Sequence, residues 1–102
     1  GCASLGPCIF VTEEPLDKDT KIYLEINRKN VTVFQANISI GQMKRSLEEL
    51  VSFVFLECSF PNGCFIMTGT GIVPGNNFTL QSKHEIKMAI DNIGTLINKV
   101  GK

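Results

Sequence analysis

The stretch with the most chemical potential is Met67-Thr68-Gly69-Thr70-Gly71-Ile72-Val73-Pro74. Threonines and glycines alternate where the apolar run Cys64–Met67 gives way to the turn residues Pro74-Gly75-Asn76-Asn77. Glycine adopts positive φ and lets a ligand approach the main chain closely. Successive backbone N–H groups at a strand end can then cradle an anion. Thr68, Gly69, Thr70 and Gly71 are therefore the candidate binding residues. A phosphate loop fails on spacing, because it needs a lysine directly after its second glycine and none follows here. A dinucleotide fingerprint starting at Gly69 and Gly71 needs glycine or alanine at position 74. Proline stands there, and no helical pattern follows. Two readings remain: a corner that holds a carboxylate, or a strand end without chemistry. Residue types alone favour the second.

The other reactive side chains form no set. His84, the one histidine, sits between Lys83 and Glu85 and reads as a solvated turn residue. It has no partner histidine or Cys-x-x-Cys for a metal. Glu48 and Glu49 are adjacent on a helical pattern, so they diverge rather than form an acid–base pair. No catalytic residue and no metal ligand is assigned. The cysteines at 2, 8, 58 and 64 form two pairs, each separated by five residues, a spacing that suits structural zinc poorly. They read as reduced, buried, small apolar side chains, which places the chain in the cytoplasm. Asn30-Val-Thr, Asn37-Ile-Ser and Asn77-Phe-Thr match the glycosylation sequon. With no secretory signal in the sequence, they read as coincidence; a secreted, disulfide-bonded, glycosylated β-domain is the competing reading.

The elements that must position the Thr-Gly corner follow from periodicity. Lys21–Ile26 alternates, with Ile22, Leu24 and Ile26 on one face and Lys21, Tyr23 and Glu25 on the other. Asn27–Asn30 is a polar turn, and Val31–Ser39 is a second strand with Val31 and Val33 on one face. Together they predict a β-hairpin. Met43, Leu47, Leu50, Val51, Val54 and Phe55 then recur at helical spacing. Ser39 and Gln42 predict a capping box, and Lys44–Glu48 and Arg45–Glu49 predict ion pairs one turn apart. The helix should end near Glu57, ahead of Pro61-Asn62-Gly63. Residues 64–68 predict a short strand buried on both faces. Residues 85–100 predict a last strand, bent or bulged at Asn92-Ile93-Gly94. The opening segment, Gly6–Val11, is extended, so extra strands at either end are open. The fold class is α+β, mainly β: a mixed sheet or β-roll of four to six strands with one amphipathic helix packed against it.

The totals set outer limits. The chain has 102 residues, enough for one domain or a piece of one over 1–102. Ten basic and ten acidic residues cancel without forming blocks, which removes the electrostatic case for nucleic acid or a membrane surface. No apolar run approaches the ~20 residues of a membrane-crossing helix. Gly1 in place of an initiating methionine predicts a processed or truncated start.

The chain resembles the C-terminal part of the fumarylacetoacetate hydrolase family. The resemblance rests on Ser4-Leu-Gly-Pro-Cys-Ile-Phe-Val-Thr-Glu-Glu14 as an opening strand and Leu24-Glu-Ile-Asn27 in the hairpin. It rests further on Thr68-Gly-Thr-Gly-Ile-Val-Pro74, Phe78-Thr-Leu-Gln81 and the closing run Glu85–Val100. Met43–Leu50, Ser59–Pro74 and Phe78-Thr-Leu80 are most similar to the branch that dehydrates 2-keto-3-deoxy sugar acids. The family's enzymes cleave, decarboxylate, hydrate or dehydrate 2-oxo and diketo acids. They use Mg²⁺ or a similar cation to polarise the substrate's oxo and carboxylate oxygens. The resemblance implies a 2-oxo acid substrate and a homodimer. It implies carboxylate contacts at Gly69 and Thr70, supported by Thr68 and Gly71. The family's Glu-x-Glu pair and aspartate have no counterpart here and are expected upstream. This portion is therefore expected to bind no metal and to be inactive alone; a non-catalytic module that assembles through exposed sheet edges is the alternative. The family's Pro-Gly-Asp turn is replaced by Ser82-Lys83-His84, which predicts a less favourable turn.

Overall fold

The alternation of Lys21–Ile26 is realised as one rail of a hairpin. In the computed structural model, which describes residues 3–101, β1 (Lys21–Arg28) pairs antiparallel with β2 (Val31–Ser39). The turn between them is Lys29-Asn30, with φ of 49° and 63°. Positive φ at both central residues is the two-residue turn whose twist suits a hairpin, and asparagine tolerates it better than most residues. Ile26 faces Phe34 while Asn27 faces Thr32, so Val33 is an extra, bulged residue. The bulge changes parity. Phe34, Ala36 and Ile38 take the apolar face, while Val31 and Val33 stay exposed.

The expected single closing strand is two. β3 (Glu85–Ile90) and β4 (Gly94–Lys99) form a second antiparallel hairpin. Asn92, with φ 65°, and Gly94, with φ 132°, reverse the chain instead of bulging it. β3 also pairs antiparallel with β1, giving the order β2-β1-β3-β4. Rows of apolar residues then cross the strands: Ile38–Ile22–Ile90, Ala36–Leu24–Met88 and Phe34–Ile26–Ile86. Ile26, at the centre, is 3% exposed. Asp91 locks the two hairpins together. Its N–H donates to the Lys21 carbonyl at 3.1 Å, and its Oδ2 accepts from the Lys21 N–H at 2.9 Å.

Between the hairpins the sequence expectations hold less well. Ser39 and Gln42 do cap a turn, with Gln42 Oε1 accepting from the Ser39 N–H at 3.0 Å, but it is only a 3-10 turn over Ile40–Gln42. The helix, α1, runs Leu47–Val54. Its N-cap is Ser46, whose hydroxyl accepts from the Glu49 N–H at 3.1 Å, and Glu48 and Glu49 lie in its first turn. Acidic residues there suit the helix dipole. Ser46-x-x-Glu49 is thus the start signal that counts. Arg45 pairs with Glu49 at 3.3 Å, whereas Lys44 and Glu48 form no pair among the described residues. The helix barely touches the sheet, contrary to expectation, and Leu47, Val51 and Phe53 remain exposed.

Residues 64–68 form no strand. Phe65 is 66% exposed and Met67 68%, the opposite of burial on both faces. A strand exists only where another edge satisfies its N–H and C=O groups, and no described residue offers one here. Cys8, Cys58 and Cys64 are free and exposed rather than buried; Cys2 lies outside the described residues. The segment 3–20 adds no strand either, but it borders the second hairpin. Ser4 Oγ donates to Asn98 Oδ1 at 3.1 Å and Cys8 Sγ to the Ile93 carbonyl at 3.3 Å. A compact chain of this size exposes roughly 5,700 Å² and has a radius of gyration of about 13 Å. This one exposes 8409 Å² with a radius of 15.6 Å.

Candidate functional site

The Thr-Gly corner is a solvent-facing turn seated on the edge of the apolar face. Thr68, Gly69, Thr70 and Gly71 are all exposed, and Ile72, directly after them, is buried at 8% exposure. Gly69 has φ 82°, with open space where a Cβ would stand. Gly71 lies against the Ile38 side chain of β2, so closely that a Cβ there would collide with it. The two glycines thus serve different needs, conformation at 69 and clearance at 71. Thr70 braces the turn. Its Oγ1 accepts from the Ile72 N–H at 3.0 Å and lies 3.3 Å from the Ile72 carbonyl. That hydroxyl is occupied by its own backbone and is not aimed outward. The N–H groups of Gly69, Thr70 and Gly71 make no hydrogen bond to any described residue. What the corner presents is therefore three main-chain donors, with Thr68 beside them.

A single buried histidine ties this loop to the sheet, and the sequence reading missed it. His84 is 3% exposed, not solvated. One position ahead of β3, it shares the parity of Ile86 and so enters the apolar face. Its ring stacks on Phe78 at 6.1 Å, and Phe78 packs on Phe34 of β2 at 6.0 Å. His84 Nδ1 accepts from the Gln81 N–H at 3.2 Å, which fixes the neutral tautomer carrying its proton on Nε2. Nε2 is buried with no described partner. The signal available in the sequence was this parity with Ile86, hidden by flanking charges.

The turn leading into His84 runs Gln81-Ser82-Lys83-His84 and is closed by the His84 N–H to the Gln81 carbonyl at 3.1 Å. Lys83, at its third position, has φ 69°. A turn with positive φ there favours proline second and glycine third. Ser82 and Lys83 supply neither, so the substituted turn is strained as expected.

The donor set does not suit a hard divalent cation. Such ions take clustered carboxylate and carbonyl oxygens. The corner offers N–H groups and no carboxylate. Among the described residues, no group of three or more His, Cys, Asp or Glu side chains comes together. No described helix is long and apolar enough to cross a membrane.

The sequence pattern that defines the fumarylacetoacetate (FAA) hydrolase C-terminal family matches residues 1–101. The chain belongs to the fumarylacetoacetate hydrolase family. Within it, the chain is 34% identical over 105 residues to a 2-dehydro-3-deoxy-D-arabinonate dehydratase of Saccharolobus solfataricus, covering 100% of this chain and 35% of that protein. It is 33% identical over 100 residues to a probable 2-keto-3-deoxyxylonate dehydratase of Haloferax volcanii, covering 97% and 35% respectively. A solved 2-keto-3-deoxy-D-arabinonate dehydratase, complexed with magnesium and 2,5-dioxopentanoate, superposes with a TM-score of 0.81 at 32% identity. That superposition covers 89% of this chain and 32% of the enzyme. The chain therefore spans about a third of the length of these relatives, and within this family it is like the 2-keto-3-deoxy sugar acid dehydratases over that third.

Proposed function

We propose that residues 1–102 form the C-terminal part of a fumarylacetoacetate-hydrolase-type enzyme acting on a 2-oxo acid, of the sugar acid dehydratase kind. The corner at Thr68–Gly71 would hold the substrate's carboxylate. The observation that carries this reading is the set of three unclaimed N–H groups at Gly69, Thr70 and Gly71. They stand in an exposed turn that Gly71's approach to Ile38 pins to the sheet. Main-chain amides held in a pinned turn bind an anion without the ordering cost that flexible lysines carry. Thr70 acts as a positioning residue, because its hydroxyl shapes the turn. Thr68 supplies the adjacent free hydroxyl. The carboxylates that would hold a divalent cation lie upstream of Ser4 in the complete enzyme. The isolated chain therefore binds the oxo acid's anionic end and does not turn it over.

Pyruvate, the minimal 2-oxo acid, is the direct probe. Titrated into the isotopically labelled chain, it should shift the amide resonances of Gly69, Thr70 and Gly71, and acetamide, the neutral control, should not. Unmoved resonances at all three positions would overturn the corner. Incubation with a 2-keto-3-deoxy sugar acid and Mg²⁺ should give no product. Turnover by the chain alone would show that it contains a complete catalytic centre.

A second reading is favoured by the surplus surface. About 2,700 Å² beyond the compact expectation exceeds the ~800 Å² that one partner gives to an ordinary interface. The chain would then be a module that assembles through its β2 and β4 edges and the apolar face of α1, as a homodimer or against further protein of the same enzyme. A strictly monomeric, well-folded species in light scattering would count against it.

A further inference from the structure

The face of the sheet opposite the corner carries a groove of about 580 Å³, within the range of small-molecule sites. Its floor comes from the polar parity of the strands, with Glu25 and Asn27 on β1, Thr32 on β2 and Glu85 on β3. The Thr32 hydroxyl lies 3.0 Å from Glu25 Oε1 and 2.9 Å from Asn27 Oδ1. One hydroxyl proton cannot serve two acceptors. The hydroxyl donates to the Glu25 carboxylate or to the Asn27 amide oxygen in turn, and the other oxygen is left as an acceptor. Glu25, Asn27 and Thr32 thus lie side by side in the groove, with acceptor oxygens among them.

The rim is cationic. Lys99 sits 3.9 Å from Glu85 and is partly neutralised by it. Lys29 and Lys83 both line the groove and have no carboxylate within ion-pair distance among the described residues. Both stand at positive φ, 49° and 69°. Lys83 holds that conformation at a turn position where glycine would relieve it. Strain retained where a simpler residue would remove it points to use. Two ammonium groups without carboxylate partners, lining one groove with the side-chain oxygens of Glu25 and Asn27, match a ligand with an anionic end and a chain of hydroxyls.

We propose that this groove is a second binding site, separate from the Thr68–Gly71 corner, for a small polyhydroxy carboxylate. Lys29 and Lys83 receive the carboxylate, and Glu25 and Asn27 receive the hydroxyls. The proposal stands whether or not the corner binds a 2-oxo acid, since the two lie on opposite faces of the sheet.

Gluconate, inorganic phosphate and sorbitol, titrated separately into the labelled 102-residue chain, test it. Gluconate should shift amides of Glu25, Thr32, Glu85 and Lys99 saturably, with a dissociation constant on the order of 1 mM, weakening as salt is added. Phosphate should bind more weakly for want of hydroxyls, and sorbitol should not bind for want of charge. Lys29→Gly and Lys83→Gly each remove an ammonium while relaxing a positive φ, so the fold is not put at risk. Each should raise the melting temperature and weaken gluconate by about threefold to fivefold. Lys83→Arg should restore binding. Unchanged affinity in the better-folded glycine variants, shifts confined to residues 69–71, or equal binding of sorbitol would overturn the proposal.

Discussion

The two hairpins and the segment between them obey different rules. Residues 21–39 and 85–99 satisfy their backbone through one another and bury Ile26 to 3% exposure. Residues 43–80 carry comparable apolar side chains, yet Phe53, Phe65, Met67 and Leu80 each leave half or more of their surface exposed. Composition therefore does not separate the regions. What separates them is whether a partner edge or face is present. The sheet pairs its strands with one another apart from its two edges, whereas the middle segment meets no described surface that would cover it. The corner sits where the regions meet, held by Gly71 on Ile38 and by Phe78 between Phe34 and His84.

The sharpest way to break this contrast is to truncate one apolar residue on each side. Ile26→Ala should cost about 2–4 kcal/mol in urea denaturation, because it opens a cavity where three strands meet. Phe65→Ala should stay within about 0.5 kcal/mol in the same experiment, since an exposed ring has little burial to lose. A loss above about 1 kcal/mol at Phe65 would show the middle segment packed in solution and erase the distinction.

At the junction, Gly71→Ala should destabilise by about 0.5–1.5 kcal/mol, because the new methyl meets only the far end of the Ile38 side chain, which must change its rotamer. Measured against Ile38→Ala alone, adding Gly71→Ala should cost nothing further, and an undiminished cost in that background would mean that the corner is not pinned through Ile38. Within the middle segment, Ser46→Ala should cost about 1 kcal/mol of helix stability, visible as lost far-ultraviolet helical signal. Ser39→Ala should leave that signal unchanged, since Ser39 caps only the 3-10 turn.

The smallest effect concerns the polar face. Tyr23, the chain's one tyrosine, is held above its usual value of 10.0 by partial burial and then by the nearby Glu25 charge, while its hydroxyl donates to Gln35 Oε1 at 3.2 Å. A raised folded pKa means that the fold favours the protonated phenol. This contribution is complete below pH 10.0 and is lost as pH rises through the folded value. Tyrosinate absorbance should therefore titrate later in the folded chain than in urea, and Glu25→Gln should bring the folded titration down. Identical curves in both states would remove the effect.

Much of the sheet was legible in the chain itself. Period-two alternation in Lys21–Ile26 dictates which side chains share a face, and Lys29-Asn30 dictates a tight reversal. The family assignment was legible as well, because the order Leu-Gly-Pro, Thr-Gly-Thr, Phe-Thr-Leu and the closing apolar run survives in the sequence. Less legible was the second hairpin. Asn92-Ile93-Gly94 marks a change of direction, but its size depends on backbone angles that three residues do not declare. The helix start was written twice, at Ser39 and at Ser46. The extended backbone at Met43, with φ −64° and ψ 133°, decided between them.

Local sequence thus determined what short-range physics controls: strand parity, turn chemistry, helix capping and the availability of glycine at 69 and 71. Tertiary structure alone decided that His84 is buried, that residues 64–68 stay unpaired, and that Lys29 and Lys83 share one groove. Each of those outcomes depends on which surface arrives from elsewhere in the chain. A residue's burial and its hydrogen-bond partners are properties of that arrival, and no window of neighbouring residues contains them.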